Sequence, residues 1–195
     1  MPSGPPLRPT YRPHGRRLGL LSTYPPRLCG LATFAAALEA ELTLAGEHVT
    51  AVAINDGRRR GGECSRTEHE LVNGVPASVR ATARVLSRDD VAIVQHEYGI
   101  YGGVDGDEVL DVLRALDVPA ILILHTVLTD PTPHQRSVLE TACGLAARIV
   151  VMTEAAGARL AAGYAVDVSK VEASSLHGAT ALLAVLPKRG DSSKR

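Results

Sequence analysis

The feature that most narrows the fold is a series of short, unbroken apolar runs, each followed by a segment with helical spacing. Val91-Ala92-Ile93-Val94, Ala120-Ile121-Leu122-Ile123-Leu124 and Ile149-Val150-Val151-Met152 contain no polar residue. A strand with one wet face alternates apolar and polar side chains, so runs like these read as strands covered on both faces. Leu18 to Leu21 and Val49 to Ile54 extend the set, with weaker extended stretches near Leu71-Val72 and after Val168 to Val171. Between them lie apolar faces at helical spacing. The first holds Leu31, Phe34, Ala35, Leu38 and Leu42, and later ones hold Val109, Val112, Leu113 and Leu116, then Val138, Leu139, Ala142 and Leu145, then Ala156, Leu160 and Tyr164. Strand followed by helix, repeated along the chain, predicts an α/β fold: a Rossmann-like doubly wound parallel sheet with right-handed crossovers.

Local signals set the boundaries. Gly46 follows the first helical face, Pro76 opens a helix running to about Ser87, and Thr153 stands where a helix cap is needed. Arg58 to Glu70 is polar and glycine-rich and reads as a surface loop, its Arg58-Arg59-Arg60 run a solvated face. Residues 1–16 read as a disordered basic, proline-rich arm, 17–180 as the folded domain, and 181–195 as a truncated linker and tail. The arm has no apolar core of a secretory signal and no stretch approaches the ~20 residues of a membrane span, which predicts a cytoplasmic protein.

With no Trp and Phe34 as the one Phe, the core must be built from Ala, Val, Leu and Ile. Lys plus Arg and Asp plus Glu are equal at 21 each, so no overall field draws the chain onto nucleic acid, and no nucleic-acid partner is expected. Cys29, Cys64 and Cys143 are an odd set without metal spacing and read as reduced thiols.

In open parallel sheets, ligands bind beyond the carboxyl ends of the strands. The residues that follow the apolar runs are therefore the candidates: Thr23-Tyr24, Gln95-His96-Glu97, His125-Thr126, Thr153-Glu154 and His177. Helix starts at this edge offer free amides to an anion such as phosphate. The first loop, Ser22 to Gly30, lacks the G-x-G-x-x-G of dinucleotide sites, and no P-loop pattern occurs. His96, Glu97 and His125 lack the helical H-E-x-x-H spacing, so no metal site is expected.

Taken together, four blocks resemble the amino-terminal domain of family-four, GT-B-type retaining glycosyltransferases. They are Thr23-Tyr24-Pro25-Pro26-Arg27-Leu28-Cys29-Gly30-Leu31-Ala32-Thr33-Phe34, Gln95-His96-Glu97-Tyr98-Gly99-Ile100-Tyr101-Gly102-Gly103, Leu124-His125-Thr126-Val127-Leu128 and His177-Gly178-Ala179. The resemblance spans about Arg17 to Pro187 and implies one half of a GT-B architecture. It implies transfer of a sugar from a nucleotide-sugar to a hydroxyl acceptor (glycan, lipid or small molecule) with retention. The nucleotide-sugar is a co-substrate, and no separate cofactor is required. By the same resemblance, Gly30 binds the donor phosphate, His125 is the catalytic residue at the transferred sugar, and His96, Glu97, Gly102, Gly103 and Thr126 line the acceptor and sugar. Peripheral membrane association fits such a protein. Because the donor-domain motifs are absent after Ala179, the expectation is a domain active only with a separate donor-domain polypeptide. The alternatives are an inactive truncated remnant and a non-catalytic module that binds a glycan or lipid acceptor.

Overall fold

The computed structural model describes residues 15–55, 57, 67–173 and 179–186. Arg58 to Arg60, Cys64, His177, Gly178 and most of the two terminal segments lie outside the described residues.

The described strands are β1 (Arg17–Ser22), β2 (His48–Asn55), β3 (His69–Val72), β4 (Val91–His96), β5 (Ala120–Leu124), β6 (Arg148–Val151) and β7 (Val171–Ala173). They pair side by side in the order β3-β2-β1-β4-β5-β6-β7, every pair parallel. The helices are α1 (Gly30–Leu44), α2 (Pro76–Leu86), α3 (Glu108–Arg114), α4 (Pro133–Leu145), α5 (Glu154–Gly163) and α6 (Ala179–Val185). The fold is the Rossmann-like α/β sandwich that the apolar runs predict.

Alternation along the central strands feeds two cores. Leu21, Val94, Leu122 and Leu124 pack on one face with side chains from α2 to α5. Leu18, Leu20, Ile93, Ile121 and Ile123 pack on the other with Ala35, Leu38 and Leu42 of α1 and Leu182 of α6. Each fully buried Leu or Ile contributes roughly 1.5–3 kcal/mol, and the central strands carry such residues on both sides. Gly19 of β1 is required by packing, since a Cβ there would lie 2.8 Å from Leu86 Cδ2.

The helix starts follow their sequence signals. Pro76 and Pro133 open α2 and α4, and Thr153 accepts a hydrogen bond from the Ala156 amide at 3.1 Å. Thr132 and Gln135 form a reciprocal capping box on α4. Three details differ from expectation. Leu145 is 40% exposed, and Cys143 takes the inward place on α4. Arg16, assigned to the arm, is docked: its main-chain amide donates to Glu47 Oε2 at 2.6 Å, and its guanidinium meets Glu47 Oε1 at 2.6 Å. Residues after 180, assigned to a linker, continue α6, where Leu182 and Leu186 are buried against the sheet. An apolar spacing of four places both on one helical face, a signal too short to separate from a loop by periodicity alone.

Candidate functional site at the sheet switch point

β1 and β4 are neighbours, but β1 leads through α1 toward β2 while β4 leads through α3 toward β5, on the opposite side. Their carboxyl-terminal loops therefore diverge and open a crevice, the place where open α/β sheets bind ligands. Leu21 pairs with Val94, so Ser22 and Gln95 come next on adjacent strands. His96 pairs with Leu124, which puts His125 one residue further along the same edge.

The His125 amide donates to the His96 carbonyl at 3.1 Å. Its ring Nε2 lies 3.0 Å from Gln95 Oε1, and the ring meets Phe34 edge-on, with centroids 5.0 Å apart. Phe34 sits one turn along α1 from Gly30. Gly30, His96 and His125 thus stand on a common rim. Burial lowers the His125 pKa, with the Glu97 charge pulling weakly the other way. The ring is therefore neutral at pH 7.

His96 is fully buried, edge-on to Tyr98 at 5.1 Å, and neither ring nitrogen has a hydrogen-bond partner. Burial, and secondarily His125, hold its pKa down to about 4. Glu97 is occupied within the protein. Its Oε2 accepts from the Thr126 hydroxyl at 2.5 Å, and its Oε1 accepts from the Tyr98 amide at 3.1 Å. This pair ties the loop after β4 to the loop after β5.

Gly102 and Gly103 do not join this group. A Cβ on Gly102 would lie 2.7 Å from Glu108 Oε2 and 3.0 Å from the Gly74 amide nitrogen, and a Cβ on Gly103, whose φ is +79°, would overlap the Asp107 carboxylate. Glu108 accepts from both the Gly102 and Gly74 amides, at 3.1 and 2.8 Å. The smallness of these glycines is thus required by a carboxylate clamp between the turn before α2 and the loop before α3.

At the start of α1, Cys29 is the cap: its sulfur accepts from the Ala32 amide at 3.4 Å and lies 3.4 Å from Thr23 Oγ1. A Cβ on Gly30 would meet nothing within 4 Å, so the helix start is open. The Cys29 sulfur faces the Ala32 and Leu31 amides, which leaves the Gly30 amide at the helix start available to an anion. Burial pushes the Cys29 thiol up, but Thr23, the Ala32 amide, the Arg27 charge and the Leu31 amide together outweigh it and hold the pKa below its ordinary value. Burial pushes Cys143 up to about 12. Brief treatment of the folded chain with iodoacetamide at pH 7.5 should therefore modify Cys29 and spare Cys143, as read by peptide mass spectrometry. Equal labelling of the two would contradict this reading.

The crevice also concentrates unmet polarity. Ser22 Oγ, Gln95 Nε2 and both His96 nitrogens are buried without a partner, all at the carboxyl ends of β1 and β4. Each such atom costs about 1–3 kcal/mol unless water or a ligand meets it. Strand-end position identified His96 and His125 in the sequence. The side-chain roles of Gln95, Phe34 and Cys29 were missed, although the first is a polar residue inside an apolar strand and was open to notice. Among the described residues, no group of three His, Cys, Asp or Glu side chains is placed to hold a metal ion. No described helix is long and apolar enough to cross a membrane.

No protein-family model and no curated protein matches the chain. Solved structures do. An α-glucosyltransferase in complex with UDP and a 13-mer DNA containing a central A:G mismatch superposes with a TM-score of 0.55 at 12% identity, over 72% of this chain and 38% of that one. An α-glucosyltransferase in complex with UDP gives 0.51 at 12% identity, over 72% of this chain and 36% of that one. A glycosyltransferase from Rickettsia africae ESF-5 gives 0.52 at 12% identity, over 82% of this chain and 43% of that one. The chain thus spans well under half the length of these neighbours. The class defined is a Rossmann-like fold shared with GT-B glycosyltransferases; at 12% identity the likeness is one of fold.

Proposed function

We propose that the chain is the amino-terminal, acceptor-side half of a retaining GT-B glycosyltransferase. It moves a sugar from a nucleotide-sugar to a hydroxyl acceptor in a cleft shared with a donor domain. The observation that carries this reading is the crevice itself: buried polar atoms without partners beside an unobstructed helix start. An anionic group fits the open helix start, and the buried polar atoms beneath it make the floor of the crevice polar. The fraction of the fold neighbours that the chain covers is what one of two similar domains would occupy. A further α-glucosyltransferase structure of this fold was solved in complex with UDP-glucose, which makes that nucleotide-sugar the first probe here.

In this reading, Gly30 lets the donor diphosphate approach the open start of α1, where its own amide and the helix dipole favour negative charge. His125 contacts the transferred sugar. Thr126, oriented by Glu97, lines the acceptor side, with the buried His96 packed behind it. Charge that builds on the leaving diphosphate is met by fixed dipoles, and each well-placed donor lowers the barrier by ~3–4 kcal/mol. Gly102 and Gly103 stay outside this assignment, because the protein's own carboxylates fill the space beside them.

The test combines the chain with a separately produced GT-B donor domain, UDP-glucose and a panel of hydroxyl acceptors. Sugar transfer that requires both polypeptides supports the proposal. Gly30→Ala sharpens it. The added methyl meets no protein atom, so the urea midpoint should hold or rise, by up to about 1 kcal/mol in stability, while transfer falls. Acceptor binding without any response to UDP-glucose would instead identify a non-catalytic acceptor module.

A further inference from the structure

His125 has two ring nitrogens with different surroundings. Nε2 faces Gln95 Oε1 at 3.0 Å, while Nδ1 makes no hydrogen bond to a described residue. A neutral imidazole carries one N–H, and an amide oxygen is purely an acceptor, so this contact is a hydrogen bond only when the proton is on Nε2. Gln95 is well placed to impose that choice. It is fully buried, its Oε1 faces the ring, and its main chain is held by the Tyr101 hydroxyl on the Gln95 carbonyl at 2.7 Å. The ring packs at right angles to Phe34, and the His125 main chain is fixed by its amide bond to the His96 carbonyl. The other titratable groups nearby are His96, neutral in the fold, and Glu97, whose oxygens are taken by Thr126 and the Tyr98 amide.

We propose that Gln95 is a positioning residue that fixes His125 in the Nε2–H tautomer and leaves Nδ1 as an acceptor for a hydroxyl group of the bound sugar. This rests on the reading of the crevice as a sugar site and adds what that reading lacks, the polarity of the contact. With the proton on Nδ1, the ring would offer a donor and turn a sugar hydroxyl around; with the proton on Nε2 it offers a lone pair. A polar side chain inside an otherwise apolar strand then has a reason: leucine there would pack as well but leave the ring free to exchange tautomers.

The experiment uses the full chain with ¹⁵N-labelled histidine, reading ring nitrogen shifts by long-range proton–nitrogen correlation at pH 7.5. Wild type should show His125 neutral, with Nε2 protonated and Nδ1 bare. Gln95→Glu, whose ionised carboxylate can only accept, should keep the proton on Nε2. Gln95→Leu should relax the ring to a mixture and, in the transfer assay, lower kcat about tenfold or more with KM within about twofold. A wild-type proton on Nδ1 overturns the proposal, as does an unchanged tautomer in folded Gln95→Leu. Should Gln95→Leu fail to fold, the wild-type tautomer still decides. The shifts are read whether or not sugar is transferred. An Nε2–H ring in a chain that never transfers sugar removes the transferase reading alone. Transfer by a chain with its ring proton on Nδ1 removes the role of Gln95 alone.

Discussion

Replacing His125 with alanine is expected to lower the kcat/KM of sugar transfer by about a hundredfold or more while moving the urea midpoint little. The ring lies at the end of β5 and is held by Gln95 and by Phe34, with its backbone fixed on the His96 carbonyl. A group held this firmly loses little entropy when a substrate arrives, and misplacing the reacting sugar by as little as an ångström costs on that order of rate. Its contribution to stability is smaller. The ring is only partly buried, and removing it opens the Gln95 amide to water rather than burying it unmet, so the loss should stay near 1 kcal/mol. Steady-state transfer assays and urea titrations on the same variant check the two halves. A loss of rate matched by a large loss of stability would point to a structural histidine instead.

The second large effect is on acid stability and comes from His96. In the fold its pKa is held down to about 4, chiefly by burial, against an ordinary value of 6.5 in the unfolded chain. Between those values the unfolded chain binds a proton that the folded one refuses, so stability falls as pH drops from about 6.5 and the loss is complete near 4. That span corresponds to roughly 3 kcal/mol. His125, also lowered by burial, acts in the same direction. His96→Leu removes the proton site and both unpartnered nitrogens. It should equal or exceed wild type at pH 7.5, and its advantage should widen by up to roughly 3 kcal/mol at pH 4. Urea midpoints of both proteins at pH 7.5, 5.5 and 4 give the comparison. Parallel curves would show that His96 does not couple folding to acid.

The fold was legible because the strands are apolar on both sides. Runs such as Ala120 to Leu124 have one stable environment, the middle of a two-faced sheet, and the helices between them carry their own punctuation in Pro76, Pro133 and Thr153. The edges of the domain were not. Arg16 reads as part of a basic arm until Glu47, 31 residues away, is seen to hold it, and Leu182 reads as tail until the face it covers is known. The site was legible in position more than in function. The strand-end rule placed His96 and His125 on one edge, and register then made them neighbours. It could not reveal that Glu97 spends its carboxylate on Thr126, or that Glu108 and Asp107 claim the space beside Gly102 and Gly103. Those outcomes depend on side chains that meet only once the loops are folded.

The central claim is that the crevice between β1 and β4 receives the nucleotide-sugar with its diphosphate at the start of α1. A titration of the ¹⁵N-labelled chain with that nucleotide-sugar, followed by amide proton–nitrogen spectra, tests it most directly. The predicted result is saturable shifts at Gly30 and Leu31, accompanied by His125 and Thr126. No saturable shift, or shifts confined to the groove at the opposite edge of the sheet lined by Arg17, His48, Asp89 and Asp90, would contradict it.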